Sequence, residues 1–420
     1  MIARLAHNPR VIVAPGHAAL AAEIARLVGC GPPVGDWFIK LEALGTGVAA
    51  EVNRLAMRHG GGALVHETGG GLAEAILRIP GDCLEVYLAA LGGGDEGDFG
   101  SRISDFGIQS AIRNPQSAIG PLAAMAESIR ATTAAWRRTA FPLRCGRRSL
   151  DVGSRTLVVG IVNVTPDSFS DGGRFLDPAK AIAHGRRLAE EGADILDVGG
   201  ESTRPGAEAV GAEAECGRVL PVVEALAREA AVPISIDTSK AAVARRALDA
   251  GAAILNDVSA LHGDPEMAAV AAESGAPLVL MHMRGTPRTM QADPHYDDLM
   301  SEVVAYLRAS MAAAEEAGVA EEQVIVDPGI GFGKTVEHNL EILRRLGELR
   351  SLGRPILVGT SRKSVVGKVL AVPMAERAFG TAATVAFAIA QGAHIVRVHE
   401  VAEMRQVAQM TDAMMGRRDA

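Results

Sequence analysis

LVVGIVNVTPDSFSDGGRF, residues Leu157 to Phe175, is the stretch on which the reading of this chain turns. Its first part, Leu157–Val162, is a short apolar run rich in valine, with the length and composition of a buried strand. From Asn163 the composition flips to Asn, Thr, Pro, Asp and Ser. In a parallel α/β fold the groups that touch ligand sit just past the carboxyl ends of strands, so Asn163 and Asp167 fall where a polar site belongs. Pro166, Gly172 and Gly173 suit a plain connecting loop equally well, and the stretch alone does not separate the two.

Downstream, strand and helix signals alternate without a break. Further strand candidates are Asp194–Val198, Pro233–Ile236, Ala252–Asn256, Pro277–Met281, Gln323–Val326, Pro355–Val358 and His394–Val398, which with the first make eight. Amphipathic or Ala-rich stretches such as Pro178–Glu191, Lys240–Ala250, Tyr296–Ala317, Val336–Leu346 and Arg377–Gln391 lie between and after them. Eight βα units over about 260 residues predict a TIM (β/α)8 barrel rather than an open doubly wound sheet. DPGIGFGK, Asp327 to Lys334, spaces its glycines wrongly for a GxGxxG fingerprint, which disfavours dinucleotide binding.

A barrel enzyme should deliver a polar group from each strand end into one mouth. The first strand gives Asn163, the second leads to Glu201, Ser202, Thr203 and Arg204, the third ends on Asp237, and the fourth on Asn256 and Asp257. The fifth gives Met281 and His282, the sixth Asp327 with Phe332 and Lys334 just beyond, the seventh Ser361, Arg362, Lys363 and Ser364, and the eighth Arg397 and His399. Any one of these could be a helix cap, as Asp237 could be for the stretch after Thr238; all of them together could not. Asp237, Asn256 and Asp327 suit the edge of a flat heterocycle with several N–H groups, and Met281 and Phe332 its faces. Lys363, Arg397 and His399 form a basic cluster suited to an anion. A hard cation such as Mg2+ takes few protein ligands beside phosphate oxygens, and Asn163 is a candidate.

Asn163–Gly173, NVTPDSFSDGG, resembles without a change the first-loop signature of dihydropteroate synthases. The later strands are similar to that family through LDVGGESTRPGA, ISIDTSK, ILNDVSAL, VLMHMRGTP, VDPGIGFGK, GTSRKS and VRVH, so the resemblance covers about Phe141 to Met414. It implies condensation of 6-hydroxymethyl-7,8-dihydropterin pyrophosphate with 4-aminobenzoate, giving dihydropteroate and pyrophosphate. By motif, Asp237, Asn256, Asp327 and Lys363 would bind the pterin, and Asn163, Arg397 and His399 the pyrophosphate, with Mg2+ near Asn163. Thr203, Arg204, Pro205, Phe332, Lys363 and Ser364 would form the aminobenzoate pocket, where sulfonamides compete. Pyrophosphate loss is expected to lead, with Asp327 stabilising the cationic pterin and the loops bearing Asp167 and Arg204 closing to exclude water. The resemblance also implies a homodimer and a hairpin at Leu143–Gly153, turning at Gly146, that plugs the barrel.

Two other readings stay open. A pterin-dependent methyltransferase feeding a corrinoid protein resembles the same barrel and shares the polar residues of strands three, four and six. Lys363 and the Arg397-Val398-His399 run favour the synthase. A non-catalytic homologue that binds pterin or a partner is the second, although no motif position is lost.

At 420 residues, 48% hydrophobic and 22% charged, the chain exceeds one ordinary globular domain. A net charge of −8 and the lack of any basic block argue against a nucleic-acid or anionic-membrane surface. Cys30, Cys83, Cys145 and Cys216 show no metal spacing and read as buried reduced thiols, hence a cytoplasmic protein with no export signal or membrane span. Residues 1–96 read as a small α/β domain with strands at Val11–Ala14 and Ala63–His66 and helices at Ala18–Val28, Gly47–Arg58 and Gly71–Leu77. Its glycine triplets at residues 60–62 and 69–71 lack P-loop spacing, and His59 and His66 have no accompanying metal ligands. Residues 97–121, where QSAI occurs twice, read as a linker or insertion, residues 122–140 as a connecting helix, and residues 141–420 as the barrel.

Overall fold

The computed structural model describes residues 10–13, 37–58, 61–69, 72–79, 84–91, 115–165, 178–202 and 209–417. The chain divides into two compact units, Met1–Arg138 with Glu348–Gly353, and Thr139–Gly347 with Arg354–Ala420. No helix among the described residues is long and apolar enough to cross a membrane.

In the first unit, strands β1 (Arg10–Val13), β2 (Trp37–Gly45), β3 (Gly62–Gly69) and β4 (Leu72–Ile79) form an antiparallel sheet in the order β1-β2-β4-β3. Helices α1 (Thr46–Arg58), α2 (Leu84–Leu91) and α3 (Pro115–Arg137) supply the apolar partners, joining Val52, Leu88 and Ile129 to Ile39, Leu77 and Ile79 in one core. Trp37 packs edge-on against Trp136 of α3, with ring centroids 5.7 Å apart. The helix expected at Gly71–Leu77 is instead the inner strand β4. Its Ala, Glu and Leu favour a helix locally, but alternation decides: Ala75, Leu77 and Ile79 are buried while Ile76 and Arg78 are half-buried. The β3–β4 register sets Gly69 opposite Leu72, so the second glycine triplet marks a hairpin. Strand β2 and helix α2 were not expected from the sequence. Helix α3 begins at Pro115, so the last residues read as insertion are helical, with proline at the first helical position. Ala18–Val28, His59, Cys30, Cys83 and residues 92–114 lie outside the described residues.

The second unit opens with the hairpin β5 (Phe141–Cys145) and β6 (Arg148–Val152), which turns at Gly146 as expected. Eight parallel strands follow: β7 (Leu157–Asn163), β8 (Ile195–Gly199), β9 (Ile234–Asp237), β10 (Ile254–Asp257), β11 (Leu278–Met281), β12 (Val324–Asp327), β13 (Leu357–Val358) and β14 (Ile395–Val398). They pair in the order β12-β11-β10-β9-β8-β7-β14-β13, and a parallel bridge from Val326 to Ile356 brings the ends together into a nearly closed TIM barrel. All eight expected strands occur within two or three residues of their expected bounds.

Side chains alternate along a strand, and the alternation stacks the barrel interior in layers. The hairpin's Phe141, Leu143, Cys145 and Val152 meet an apolar belt of Val159, Ile195, Ile254, Val279, Ile325, Leu357 and Ile395. Two residues further along the same strands stand Asp197, Asn256, Met281, Asp327 and Arg397. Outward positions face the helices. At Gly160 an added Cβ would lie 3.1 Å from Leu188 and 3.2 Å from Val401, so this strand carries a glycine where helices crowd in. Cys145 and Cys216 are buried free thiols, and burial pushes the Cys145 thiol up to about 12.

The ends of the barrel sequence are tied together at its amino-terminal face. The final helix carries buried Asp412, whose carboxylate accepts from the Thr156 backbone N–H at 2.7 Å and the Thr156 hydroxyl at 2.9 Å. Nearby, Arg155 grips Asp194 with both terminal nitrogens, at 2.9 and 2.6 Å. Asp412→Ala should leave two buried Thr156 donors unpaired and destabilise the barrel by about 2–3 kcal/mol. The check is a urea titration: a lowered midpoint at unchanged slope is expected, and an unchanged midpoint would remove the clamp from this account.

Candidate active site

The polar layer above the apolar belt is organised by Arg397, which projects inward from β14. Its Nε donates to Asp197 Oδ2 at 2.6 Å and its Nη2 to Asp237 Oδ2 at 2.8 Å. Asn256 joins them, its Nδ2 donating to the same Asp197 oxygen at 3.0 Å. Asp197 Oδ1 is buried and has no hydrogen-bond partner among the described residues. Burial pushes the Asp237 carboxyl up to about 7, against the pull of Arg397 and helped by repulsion from Asp197. Gly199, next to Asp237 in register, leaves the space beside it open: a Cβ there would lie 3.4 Å from the Asp237 Cβ.

The sixth strand ends in Asp327, buried, whose Oδ1 accepts from the Gly329 backbone N–H at 2.7 Å. Burial raises its pKa, opposed by Lys363 and Lys334. The loop beyond needs glycine twice. Gly329 (φ +67°) would place a Cβ 1.9 Å from the His282 carbonyl oxygen, and Gly333 (φ +62°) one 2.4 Å from that of Arg284. This close approach fixes the loop against the end of β11, where Met281 and His282 are buried. Lys363, from the end of β13, reaches back to donate to the Ile330 carbonyl, and its ammonium lies 4.7 Å from the centre of the Phe332 ring. Burial brings the Lys363 pKa down to about 8, with Asp327 holding it up.

The rim is completed by the turn 361–363 and the end of β14. His399 Nδ1 is 2.9 Å from Ser361 Oγ, which also accepts from the His399 backbone N–H at 3.2 Å. Glu400 anchors this turn through Arg362 Nε at 2.5 Å and Ser361 Oγ at 3.3 Å, and Arg362 sits at φ +57°. Lys363 is the residue before the helix Ser364–Leu370, at whose exposed start Ser364 lies. Asn163 is half-buried at the end of β7, and its side chain makes no hydrogen bond to a described residue. No group of three or more His, Cys, Asp or Glu side chains that could hold a metal occurs among the described residues.

The structure therefore brings Asp237, Asn256, Met281, Asp327, Phe332, Lys363, Arg397 and His399 to one end of one barrel, with Asn163 and Ser364 at its margin. Asp167, Thr203, Arg204 and Pro205 lie outside the described residues. Three strand-end candidates serve the scaffold instead. Glu201 accepts from Lys240 Nζ at 2.5 Å and from the Val210 backbone N–H at 2.9 Å. Asp257 accepts from the backbone N–H groups of Ser259 and Leu261, at 2.8 and 2.7 Å. His282 is held beneath the site by Lys334. The sequence reading passed over Asp197. The signal was there: it stands two residues after Ile195, on the inward face of the strand expected at Asp194–Val198.

A family model described as pterin binding enzyme matches residues 159–399. The chain belongs to the dihydropteroate synthase family. It is 51% identical over 274 residues to the dihydropteroate synthase of Synechocystis sp., covering 65% of this chain and 95% of that protein. The Escherichia coli dihydropteroate synthase is 47% identical over 271 residues, with 64% of this chain and 95% of that protein covered. Among solved structures, the Yersinia pestis dihydropteroate synthase with a sulfonamide drug complex matches at TM-score 0.63 and 44% identity, over 66% of this chain and 99% of that one. That of Xanthomonas albilineans in complex with 7,8-dihydropteroate matches at TM-score 0.59 and 42% identity, over 65% and 98%. As a member of the dihydropteroate synthase family the protein is an enzyme, a transferase that forms a C–N bond, and residues 1–158 lie outside the family match.

Proposed function

We propose that this protein condenses 6-hydroxymethyl-7,8-dihydropterin pyrophosphate with 4-aminobenzoate to give 7,8-dihydropteroate and pyrophosphate. The observation that carries the proposal is the set of groups gathered at the barrel mouth: acceptors and an amide (Asp197, Asp237, Asn256, Asp327) tied together by Arg397, with Lys363 and His399 completing the rim. The acceptors suit a ring edge rich in N–H donors, and Asp197 Oδ1 offers it an unclaimed acceptor. The rim suits the pyrophosphate, with Arg397 Nη1 the guanidinium donor not engaged by Asp197 or Asp237. Phe332 and Lys363, with Ser364 and by motif Thr203, Arg204 and Pro205, form the aminobenzoate pocket and the place where a sulfonamide would compete.

In the proposed reaction the C–O bond to pyrophosphate breaks first, because the electron-rich dihydropterin delocalises the methylene cation. The Asp327 carboxylate stabilises that cation through the ring N–H groups while Arg397 and His399 stabilise the charge gathering on the leaving group. The aniline nitrogen then forms the C–N bond and releases its proton to pyrophosphate or water. By motif, the loops bearing Asp167 and Arg204 exclude water, and Asp167 orients the amine. The donor set fits magnesium held mainly by substrate: Asn163 offers a neutral amide oxygen and the described residues hold no carboxylate cluster to cage the ion alone. Bound there, Mg2+ would neutralise part of the pyrophosphate charge.

The methyltransferase reading does not require the Lys363, Arg397 and His399 cluster, and the binding-only reading keeps every motif position but predicts no turnover. A single assay separates them from the synthase: pyrophosphate release by full-length protein with both substrates and Mg2+. Aminobenzoate-dependent turnover that falls on the order of a hundredfold or more in Lys363→Ala is expected. Pterin binding without turnover by the native chain would reject the synthase.

The pH dependence follows from two half-buried groups. Asp237, raised to about 7, is a carboxylate only above that pH, and Lys363, lowered to about 8, keeps its ammonium only below it. The kcat/KM profile should therefore be a narrow bell between the two, with the acid limb lost in Asp237→Asn. A flat profile across both values would contradict these assignments.

The same resemblance supports a homodimer in the cytoplasm. Among the described residues of the barrel unit the exposed large hydrophobic side chains are Val369, Leu370, Met374, Phe379, Phe387, Met410, Met414 and Met415, all on the last three helices and the turns beside them. Phe379, 90% exposed, marks this face, and Phe379→Glu should convert a sedimenting dimer to monomer. A native chain that already sediments as a monomer would refute the dimer.

A further inference from the structure

Lys334 lies beneath the site, 3% exposed, with its ammonium among acceptors from two loops. Nζ is 2.8 Å from His282 Nδ1, 2.9 Å from the Phe332 carbonyl oxygen and 3.0 Å from that of Gly329, with the His282 carbonyl more distant at 3.5 Å. Three short contacts match the three donors of an ammonium. Lys334 makes no ion pair with a carboxylate among the described residues, and burial pulls its pKa well below the usual lysine value, as it does that of His282. A buried amine without an ion pair costs free energy whether it keeps its charge or gives it up, so stability alone favours an apolar side chain in its place.

What the contacts join is specific. The His282 backbone N–H donates to the Asp327 carbonyl at 2.9 Å, and the Gly329 N–H to the Asp327 carboxylate at 2.7 Å. The Phe332 carbonyl bonded by Lys334 belongs to the residue whose ring faces the Lys363 ammonium. From below, one side chain thus spans the end of β11 and both halves of the loop after β12. A second tie holds the far end of that loop, where the buried Tyr296 hydroxyl donates to the Gly333 carbonyl at 2.8 Å.

We propose that Lys334 is a positioning residue for the C–N bond-forming reaction: it locks the 328–333 loop so that Phe332 and Lys363 present a formed aminobenzoate pocket while Asp327 stays aimed at the pterin. The proposal rests on the synthase reading above. It separates the two substrates, because the pterin contacts sit on strands and the aminobenzoate wall sits on this loop.

The experiment is steady-state kinetics of full-length Lys334→Met and Tyr296→Phe with each substrate varied in turn, beside the native chain. For Lys334→Met the expected result is an aminobenzoate KM raised about tenfold and kcat lowered on the order of a hundredfold, with the KM for pterin pyrophosphate within about threefold of native. Tyr296→Phe, which removes one hydroxyl, should move the aminobenzoate KM in the same direction by a few fold. A purely structural lysine would lower the active fraction and kcat while leaving both KM values in place, and that pattern overturns the proposal. If Lys334→Met does not fold, Tyr296→Phe decides alone: a native aminobenzoate KM overturns it. An inactive native chain would instead reject the synthase reading itself.

Discussion

Arg397 held between Asp197 and Asp237 is the interaction on which the barrel mouth depends. One guanidinium faces two carboxyl groups inside a protein interior, so above about pH 7, where Asp237 is ionised, the set carries a net negative charge before any ligand arrives. Such a cluster is costly to desolvate, and the cost appears in the structure as an Asp197 oxygen with no partner among the described residues and an Asp237 carboxyl that gains its charge only near neutral pH. A flat ring presenting N–H donors satisfies what the protein leaves unsatisfied. In the proposed function the empty acceptor is therefore part of recognition. Arg397 also fixes the geometry, because its planar fork sets how far apart the two carboxylates stand.

Beside this layer stand further basic groups. Lys363 comes from the seventh strand and His399 from the eighth, and the turn carrying Ser361 and Arg362 is pinned by Glu400. Setting acidic groups beside basic ones lets one substrate be read at both ends, the ring by the first and the pyrophosphate by the second. The burial that lowers the Lys363 pKa also strengthens its interaction with an anion, since both follow from the exclusion of water. Stability and function pull apart here, as the buried Asp327 and Lys334 beside the half-buried Lys363 show.

The eight barrel strands were legible because each is a short apolar run ended by an abrupt polar residue, and burial on both faces keeps the run continuous. Asn163, Asp237, Asn256 and Asp327 were legible for the same reason, since each is a polar residue at the end of its run. Asp197 escaped because it interrupts a run rather than ending it; only the inward register, two residues on from Ile195, gives it away. Leu72–Ile79 misled for the opposite reason: its composition favours a helix, while its place between β2 and β3 requires a strand. Lys334 was visible as a residue past the sixth strand, but nothing in DPGIGFGK states that its ammonium turns down among carbonyls rather than up toward substrate.

That direction matters for how the loop after β12 is understood. Glycines at 329 and 333 let the backbone approach β11 closely, and in isolation they would leave the loop loose, because each glycine adds conformations to be frozen. The contacts of Lys334 and Tyr296 oppose that freedom from below, and those of Lys363, Asn339 and Gln291 act at Ile330 and Gly331 in its middle. The Asn339 amide oxygen accepts from the Gly331 N–H and the Gln291 amide donates to the Gly331 carbonyl, both at 2.7 Å, so the central glycine is held by both its peptide groups. A loop that must come within contact of a heterocycle needs glycine for reach, and a loop that must aim Asp327 and Phe332 needs restraint. The polar ties around DPGIGFGK reconcile the two requirements, which is why a lysine can be retained where an apolar side chain would fill the space at lower cost.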